Sequence, residues 1–249
     1  MRIGIVTGAS SGIGKEFVHQ LENAYALDEI WLIARSEDRL KEIASRLQCS
    51  KGIVLPLDLT AQQDIAELEK KIKDASPDIQ VLVNNAGYGL VGEFTVAGLD
   101  EQLKMIDLNA KAVVACTYLC LPSLPRGGVI FEVASISGFI PGPKTAVYSA
   151  TKAFVLSFSL ALYQELQARG IHVITVSPGP VATDFWNIAT KGNMSVPPNA
   201  AQPADVVRLA IRDAKRGKLN STHGIIPRLI TYLPRLMRRK TLVRLVSIL

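Results

Sequence analysis

Along the whole chain, short runs of β-branched and aliphatic residues alternate with longer stretches of helical period, and no other feature limits the fold as strongly. A strand followed by a helix and another strand buries all three only when parallel strands lie side by side and helices cover the sheet. Strands are expected from Ile3 to Thr7, Ile30 to Ala34, Ile53 to Leu57, Val81 to Asn84, Val129 to Ala134, Val173 to Ser177, and a short last one from Gly224 to Ile226. Helices are expected from Gly14 to Glu22, Asp38 to Leu47, Ala61 to Asp74, Leu99 to Leu121 and Val147 to Ala168, with Gly170 placed as a C-cap glycine. The expected fold class is therefore α/β, a doubly wound parallel sheet of about seven strands with helices on both faces. One core of this kind suits 249 residues, so residues 1–249 read as a single domain.

Two segments stand outside the alternation. Residues 185–203 hold Pro197, Pro198 and Pro203 among scattered polar residues. They read as a substrate loop or lid with short helices, the alternative being a plain surface insertion. Residues 225–249 form a basic, amphipathic tail in which Leu229, Leu233, Leu236 and Met237 recur opposite Arg228, Arg235, Arg238 and Arg239. Pro234 weakens a continuous helix there, and Leu242, Val243, Leu245, Val246, Ile248 and Leu249 extend the apolar supply. Three readings of the tail compete: packing on the body or a twin subunit, peripheral contact with an anionic membrane, or docking of an acidic acyl carrier protein.

Charge and composition narrow the partners. Nine of the 28 basic residues, and none of the 22 acidic ones, follow Asp213, so residues 1–213 carry a net charge of −3. A body of that sign repels phosphate chains, so no nucleic-acid partner is expected despite the overall +6. Cys49, Cys116 and Cys120 lack paired spacing and read as reduced thiols, which suits a cytoplasmic setting. The first apolar run meets Gly8 too soon for a signal peptide, and no uninterrupted apolar run reaches about 18 residues, so no spanning helix is expected. His19, His172 and His223 are scattered, so no metal site is expected.

Directly after the first strand comes Thr7-Gly8-Ala9-Ser10-Ser11-Gly12-Ile13-Gly14, with a helix opening behind it. Such glycines let backbone approach a pyrophosphate whose charge meets helix N-terminal amides, although a tight strand-to-helix turn makes the same demand. Further on, Tyr148-Ser149-Ala150-Thr151-Lys152 sets a phenol and an ammonium on one face of a predicted helix. A fixed cation beside a phenol favours the phenolate, so Tyr148 is expected to titrate below its ordinary value and serve as general acid/base. A surface Lys on an amphipathic helix gives the same spacing. Asn109 falls mid-helix, where its side chain competes for backbone groups, so either a compensating partner or solvent is expected around it.

Taken together, TGASSGIG, Asn84-Asn85-Ala86-Gly87, Asn109, Ser135, Tyr148 and Lys152 resemble, in order and spacing, the short-chain dehydrogenase/reductase family, from about residue 3 to about residue 183. The resemblance implies a Rossmann-type fold and hydride transfer between nicotinamide and a carbonyl or alcohol, with Asn109, Ser135, Tyr148 and Lys152 as the catalytic set. Ser135 would hold the substrate oxygen, with Ser137 its competitor; Lys152 would also bind the nicotinamide ribose, and Asn109 would support a water-linked proton path. For the cofactor it implies Gly8, Ser10, Ser11, Gly12, Ile13 and Gly14 at the pyrophosphate, Asp58 and Leu59 at the adenine, and Asn85, Ala86 and Gly87 at the adenosine ribose. Tyr148 and Lys152 also contact the cofactor, and Pro178, Gly179, Val181 and Thr183 form the nicotinamide segment. A helix N-cap role for Thr60 is the alternative near Asp58.

Relatives that use NAD carry an acidic residue where this chain has Ala34. The following Arg35 and Ser36 suit a 2′-phosphate, so NADP(H) is expected, with NAD(H) the alternative, since Ser11 departs from relatives with a second cation in the glycine loop. Phe185, Trp186 and Met194 suggest a partly apolar small-molecule substrate, such as a ketoacyl, steroid-like or hydrophobic ketone. A homodimer or homotetramer through the helices at 99–121 and 147–168 is implied by resemblance alone. A cofactor-binding scaffold protein is the rival reading.

Overall fold

The fold, obtained as a computed structural model, describes residues 1–246. Its strands are β1 (Arg2–Thr7), β2 (Glu29–Ile33), β3 (Lys51–Leu55), β4 (Asp78–Asn84), β5 (Val129–Val133), β6 (His172–Val176) and β7 (Asn220–Ser221). Its helices are α1 (Gly12–Ala24), α2 (Glu37–Ala44), α3 (Gln62–Ala75), α4 (Leu99–Ile106), α5 (Ala112–Cys120), α6 (Ala146–Leu166), α7 (Phe185–Ala189), α8 (Pro203–Lys215), α9 (Ile225–Leu236) and α10 (Arg239–Val246). The strands form one sheet in the order β3-β2-β1-β4-β5-β6-β7, and every pairing is parallel.

Alternation along each strand divides the core in two. On β1, Val6 faces Phe17, Val18 and Leu21 of α1 and Val206, Val207 and Ala210 of α8, whereas Ile3 and Ile5 face Leu68 of α3, Cys116 of α5 and Leu162 of α6. The rings of Phe17 and Phe131 meet at 5.1 Å across the first layer, and each such fully buried side chain stabilises the fold by about 2–3 kcal/mol. From β1 the chain winds outward through β2 and β3, then returns to place β4 on the other side. At that reversal the connections after β1 and β4 run to opposite faces of the sheet, which in sheets of this kind marks a ligand-binding crevice at the carboxyl ends of the strands.

Several expectations need correction. The last strand is Asn220–Ser221, paired with Thr175 and Val176, not Gly224 to Ile226. Gly224 has a φ of 90°, and Pro227 fits a first helical turn, so the chain there enters α9. Pro234 is accommodated inside α9 near its end, and the chain breaks at Met237 before α10. The segment 185–203 contains α7, and α8, which follows it, was not expected. The expected helix from Leu99 to Leu121 is interrupted by a π-helical turn, Asp107–Lys111. Gly170 does adopt a left-handed φ of 67°, but in the turn beyond α6 rather than at its cap.

Leu99–Ser123 and Ala146–Leu166 are long and apolar enough to cross a bilayer by length and composition, contrary to the expectation, yet both lie in the layer that covers the sheet. Their outer sides expose Leu103, Val114, Tyr118, Phe154 and Leu160. In the tail, Leu242 is buried, but Ile225, Ile226, Leu229 and Leu236 face outward. Ile248 and Leu249 lie outside the described residues. Cys49, Cys116 and Cys120 are all free thiols.

Candidate active site

The crevice is built from the loops that end β1, β4 and β5. Gly8 and Gly12 take φ values of 65° and 53°, which other residues rarely adopt. A Cβ on Gly14 would fall 2.1 Å from the Gly8 carbonyl oxygen, so α1 can start this close to β1 only with glycine there. The neighbouring loop is stitched to this turn. Thr7 Oγ1 accepts from the backbone N–H groups of Asn85 (2.9 Å) and Ala86 (3.0 Å), and Asn85 Nδ2 donates to the carbonyls of Thr7 and Gly8. Ser11, the N-cap of α1, makes no side-chain capping bond, so the first amides of the helix are left for a ligand. Ser10 is half-buried in the same turn, while Ile13 packs on the core beneath it.

Beyond β2, Arg35 is exposed, and Ser36, the N-cap of α2, likewise makes no side-chain capping bond. Asp58 Oδ1 accepts from the backbone and hydroxyl of Thr60, so Thr60 serves Asp58 and is not the N-cap of α3, a place held by Ala61. Partial burial pushes the Asp58 carboxyl up, but the Thr60 hydrogen bonds and the Arg35 charge together hold it below its ordinary value. Leu59 is buried in the core, so only its backbone can meet a ligand.

At the end of β5, buried Ser135 lies near Tyr148 of α6 and favours its phenolate. The Ser135 Oγ accepts from the Ser137 N–H at 3.1 Å, which leaves Ser137 in a supporting position. Lys152, one turn along α6, is buried and donates to the Val133 carbonyl at 2.8 Å. Asn109, wholly buried, sits in the π turn. Its Nδ2 donates to Tyr88 O (2.8 Å) and Thr151 Oγ1 (3.1 Å), and its Oδ1 accepts from the Tyr88 N–H (3.0 Å). These bonds are the compensation that a mid-helix Asn requires, and the wider turn aims the side chain inward. Gly87 permits the approach, since a Cβ there would stand 2.8 Å from Asn109 Oδ1 and 3.5 Å from Lys152 Nζ.

Electrostatics correct one expectation. The Tyr148 phenol is pushed up to about 12, because burial disfavours the phenolate more than Ser135 favours it. The Lys152 cation does not offset this: its Nζ lies 6.0 Å from the centre of the Tyr148 ring, and burial brings Lys152 itself down to about 8 despite the pull of Glu132. Glu132 was missed in the sequence. Wholly buried on β5, it is pushed up to about 8 by desolvation, against hydrogen bonds from Asn84 Nδ2 (2.9 Å) and Thr117 Oγ1 (3.2 Å) and the Lys152 charge. Its Oε2 and Asn84 Oδ1 are buried without a partner among the described residues. The signal was one acidic residue inside the apolar run from Val129 to Ala134.

On the open side, the Phe185 ring stands 5.6 Å from Tyr148, with Trp186 edge-on behind it. Gly89 makes room, since a Cβ there would be 2.7 Å from Phe185 Cζ. The Pro178 carbonyl accepts from the Ile136 N–H at 3.0 Å, tying the 178–183 segment to the turn that carries Ser135. Val181 is buried and bridged to Ala201, Gly179 packs on Pro227, and Thr183 lies against Gly12. Tyr148, Ser135, Lys152, Asn109, the glycine turn and Thr183 therefore surround one crevice.

A family model described as short chain dehydrogenase matches residues 2–193. An uncharacterised oxidoreductase of Staphylococcus saprophyticus is 37% identical over 187 residues, covering 73% of this chain and 79% of the relative. Among solved structures, a short-chain dehydrogenase from Sphingobium yanoikuyae in complex with NADPH is 29% identical with a TM-score of 0.82, covering 92% of this chain and 91% of the other. A bulky-bulky ketone specific alcohol dehydrogenase from Comamonas testosteroni is 26% identical with a TM-score of 0.77, covering 96% of each chain.

Proposed function

The chain belongs to the short-chain dehydrogenase/reductase family and is an oxidoreductase, and on that premise we propose that it reduces a partly apolar ketone or aldehyde with NADPH, using Tyr148 as the proton donor. The observation that carries this reading is the convergence of buried Ser135, Lys152 and Asn109 with half-buried Tyr148, beside a glycine turn too close-packed for any Cβ. The residues present fit a dinucleotide: uncapped α1 amides for the pyrophosphate, Arg35 and Ser36 for a 2′-phosphate, Asp58 for the adenine amino group. Asn85, Ala86 and Gly87 serve the adenosine ribose, and Pro178, Gly179, Val181 and Thr183 the carboxamide end. The neighbour from Sphingobium yanoikuyae carries NADPH, which favours the phosphorylated form.

The nicotinamide, when bound, supplies the hydride that reaches the carbonyl carbon. Ser135 donates a hydrogen bond to the substrate oxygen and shares its developing negative charge. Tyr148, held protonated by burial, donates its proton to that oxygen, giving the alcohol. Lys152 would hold the nicotinamide ribose, while Asn109 keeps the backbone beside it in place through Tyr88 and Thr151. Phe185 and Trp186 shield the phenol from water and give the substrate an apolar wall, in keeping with the bulky ketones named for the Comamonas testosteroni neighbour. The exposed apolar sides of α4, α5 and α6 favour a homodimer or homotetramer, and the free thiols a cytoplasmic setting.

Purified enzyme assayed by NADPH absorbance over a panel of ketones tests the reading. Tyr148→Phe should lower kcat at least about a hundredfold while fluorescence titration shows NADPH still bound. Turnover retained in the variant, or faster turnover with NADH in the wild type, overturns the corresponding half of the proposal.

A further inference from the structure

Helix α9 is amphipathic in the reverse of the usual sense for a helix on a globular body. Ile225, Ile226, Leu229, Tyr232 and Leu236 fall on one stripe at helical spacing and are exposed, Ile225 and Leu236 by 78% and 81%. The opposite side is the one that packs: Thr231 is buried, and Pro227 rests where a Cβ of Gly179 would stand, 2.7 Å away. The apolar stripe is thus left over after α9 has docked on the body. The helix itself sits beside the site, since α9 contacts the Ile136–Gly138 turn that follows Ser135.

Charge completes the pattern. Arg228 and Arg235 run along one edge of the stripe, and Arg238, Arg239 and Lys240 follow it, with no acidic residue after Asp213. Among the described residues none of these five cations enters an ion pair, although Arg228 reaches the Thr222 carbonyl and Arg235 lies over the Tyr232 ring. At the same end of the sheet Phe94, Val96, Ile188 and Met194 are also exposed, on two segments joined by the Val91 N–H to Ala189 carbonyl bond at 2.8 Å. An apolar stripe edged by unpaired cations, on a body that is otherwise negative, matches the boundary of an anionic bilayer, where side chains enter the acyl region and guanidinium groups meet phosphates.

We propose that α9 and the basic segment behind it dock this protein on an anionic phospholipid surface, with the mouth of the substrate crevice facing the lipid. An apolar substrate then enters directly from the bilayer; that consequence rests on the oxidoreductase reading above, whereas the docking itself does not.

Co-sedimentation of the full chain with phosphatidylcholine vesicles, with and without phosphatidylglycerol, tests it. The wild type should bind the anionic vesicles, and added salt should weaken binding. The double variants Ile225→Ser/Leu229→Ser and Arg238→Glu/Arg239→Glu should each reduce partitioning, the second by about 600-fold, at roughly fivefold for each of its four units of charge change. Both alter exposed residues, so NADPH turnover of a water-soluble ketone should stay unchanged and report an intact fold. Binding that ignores the anionic lipid or either double variant overturns the proposal. Analytical ultracentrifugation supplies the other refutation: if Ile225→Ser/Leu229→Ser splits an oligomer, the stripe is a subunit interface. Retention by immobilised acyl carrier protein without any vesicle binding would assign it to a protein partner instead. Loss of turnover in Tyr148→Phe leaves vesicle binding unaffected, so the two proposals fail separately.

Discussion

Glu132 offers a quantitative test of how the site is built. The carboxyl is wholly buried within reach of the Lys152 charge and raised from 4.5 to about 8. A group whose folded value lies above its unfolded one binds protons more tightly in the native state, so it costs nothing at low pH. The cost grows as pH climbs from the unfolded value toward the folded one and is constant above that. At 1.36 kcal/mol per unit, the full penalty is about 5 kcal/mol, of which about 3–4 kcal/mol accrues between roughly pH 5 and pH 8. Lys152, lowered from 10.5 to about 8, behaves in the opposite window: its penalty is flat below about 8 and relaxes only above it. Glu132→Gln keeps an acceptor for Asn84 and Thr117 but cannot ionise. Urea unfolding at about pH 5 and about pH 8 should therefore show the wild type losing about 3–4 kcal/mol relative to the variant, a large share of a typical 5–15 kcal/mol stability. Parallel pH profiles for the two proteins would refute the reasoning and mean that Glu132 is ionised or hydrated in the folded state.

Other perturbations probe the remaining parts of the site. Arg35→Ala would remove the proposed charge-assisted bond to a 2′-phosphate, worth about 1.5–3 kcal/mol, so KM for NADPH should rise roughly 10- to 150-fold with that for NADH little changed; equal rises would exclude a phosphate contact. In Gly14→Ala the new Cβ would meet the Gly8 carbonyl at 2.1 Å and push α1 away from the turn. Steady-state assays should then show kcat/KM falling by about a hundredfold, and an unchanged value would show that the turn is not a cofactor cradle. Asn109→Ala leaves the Tyr88 backbone groups without their partner and should lower unfolding free energy by roughly 2–5 kcal/mol in a urea titration. A loss below about 0.5 kcal/mol would mean that water replaces the amide at no cost.

How much of this was legible depended on whether the determining contacts were local. The glycine turn, the Tyr148–Lys152 spacing and the alternation of Ile3 and Ile5 against Val6 are periodic or contiguous, so they could be read directly. Helix α8 is legible as well, with Pro203 at its start, Asp205 in its first turn and Arg212 and Lys215 in its last, although it was not among the expected helices. The misplaced last strand has a different cause. Asn220 and Ser221 have little strand propensity and pair only because β6 offers an open edge, whereas the Ile-Ile run after Gly224 that looks like a strand becomes the start of α9.

The sequence by itself determined the class of fold, the order of its first six strands, and the residues proposed to move a proton and hold a dinucleotide, because these follow from side-chain period and from the chemistry of each residue. Tertiary structure decided the state of those groups. Burial raised Tyr148 where an adjacent cation was expected to lower it, lowered Lys152, and raised Glu132 within reach of its charge, since desolvation depends on what surrounds a charge from every side of the fold. It also decided which side of α9 faces outward: amphipathicity shows that a helix has an apolar stripe, and only packing on Gly179 and the Ser135 turn shows that this stripe is left without a partner on the body.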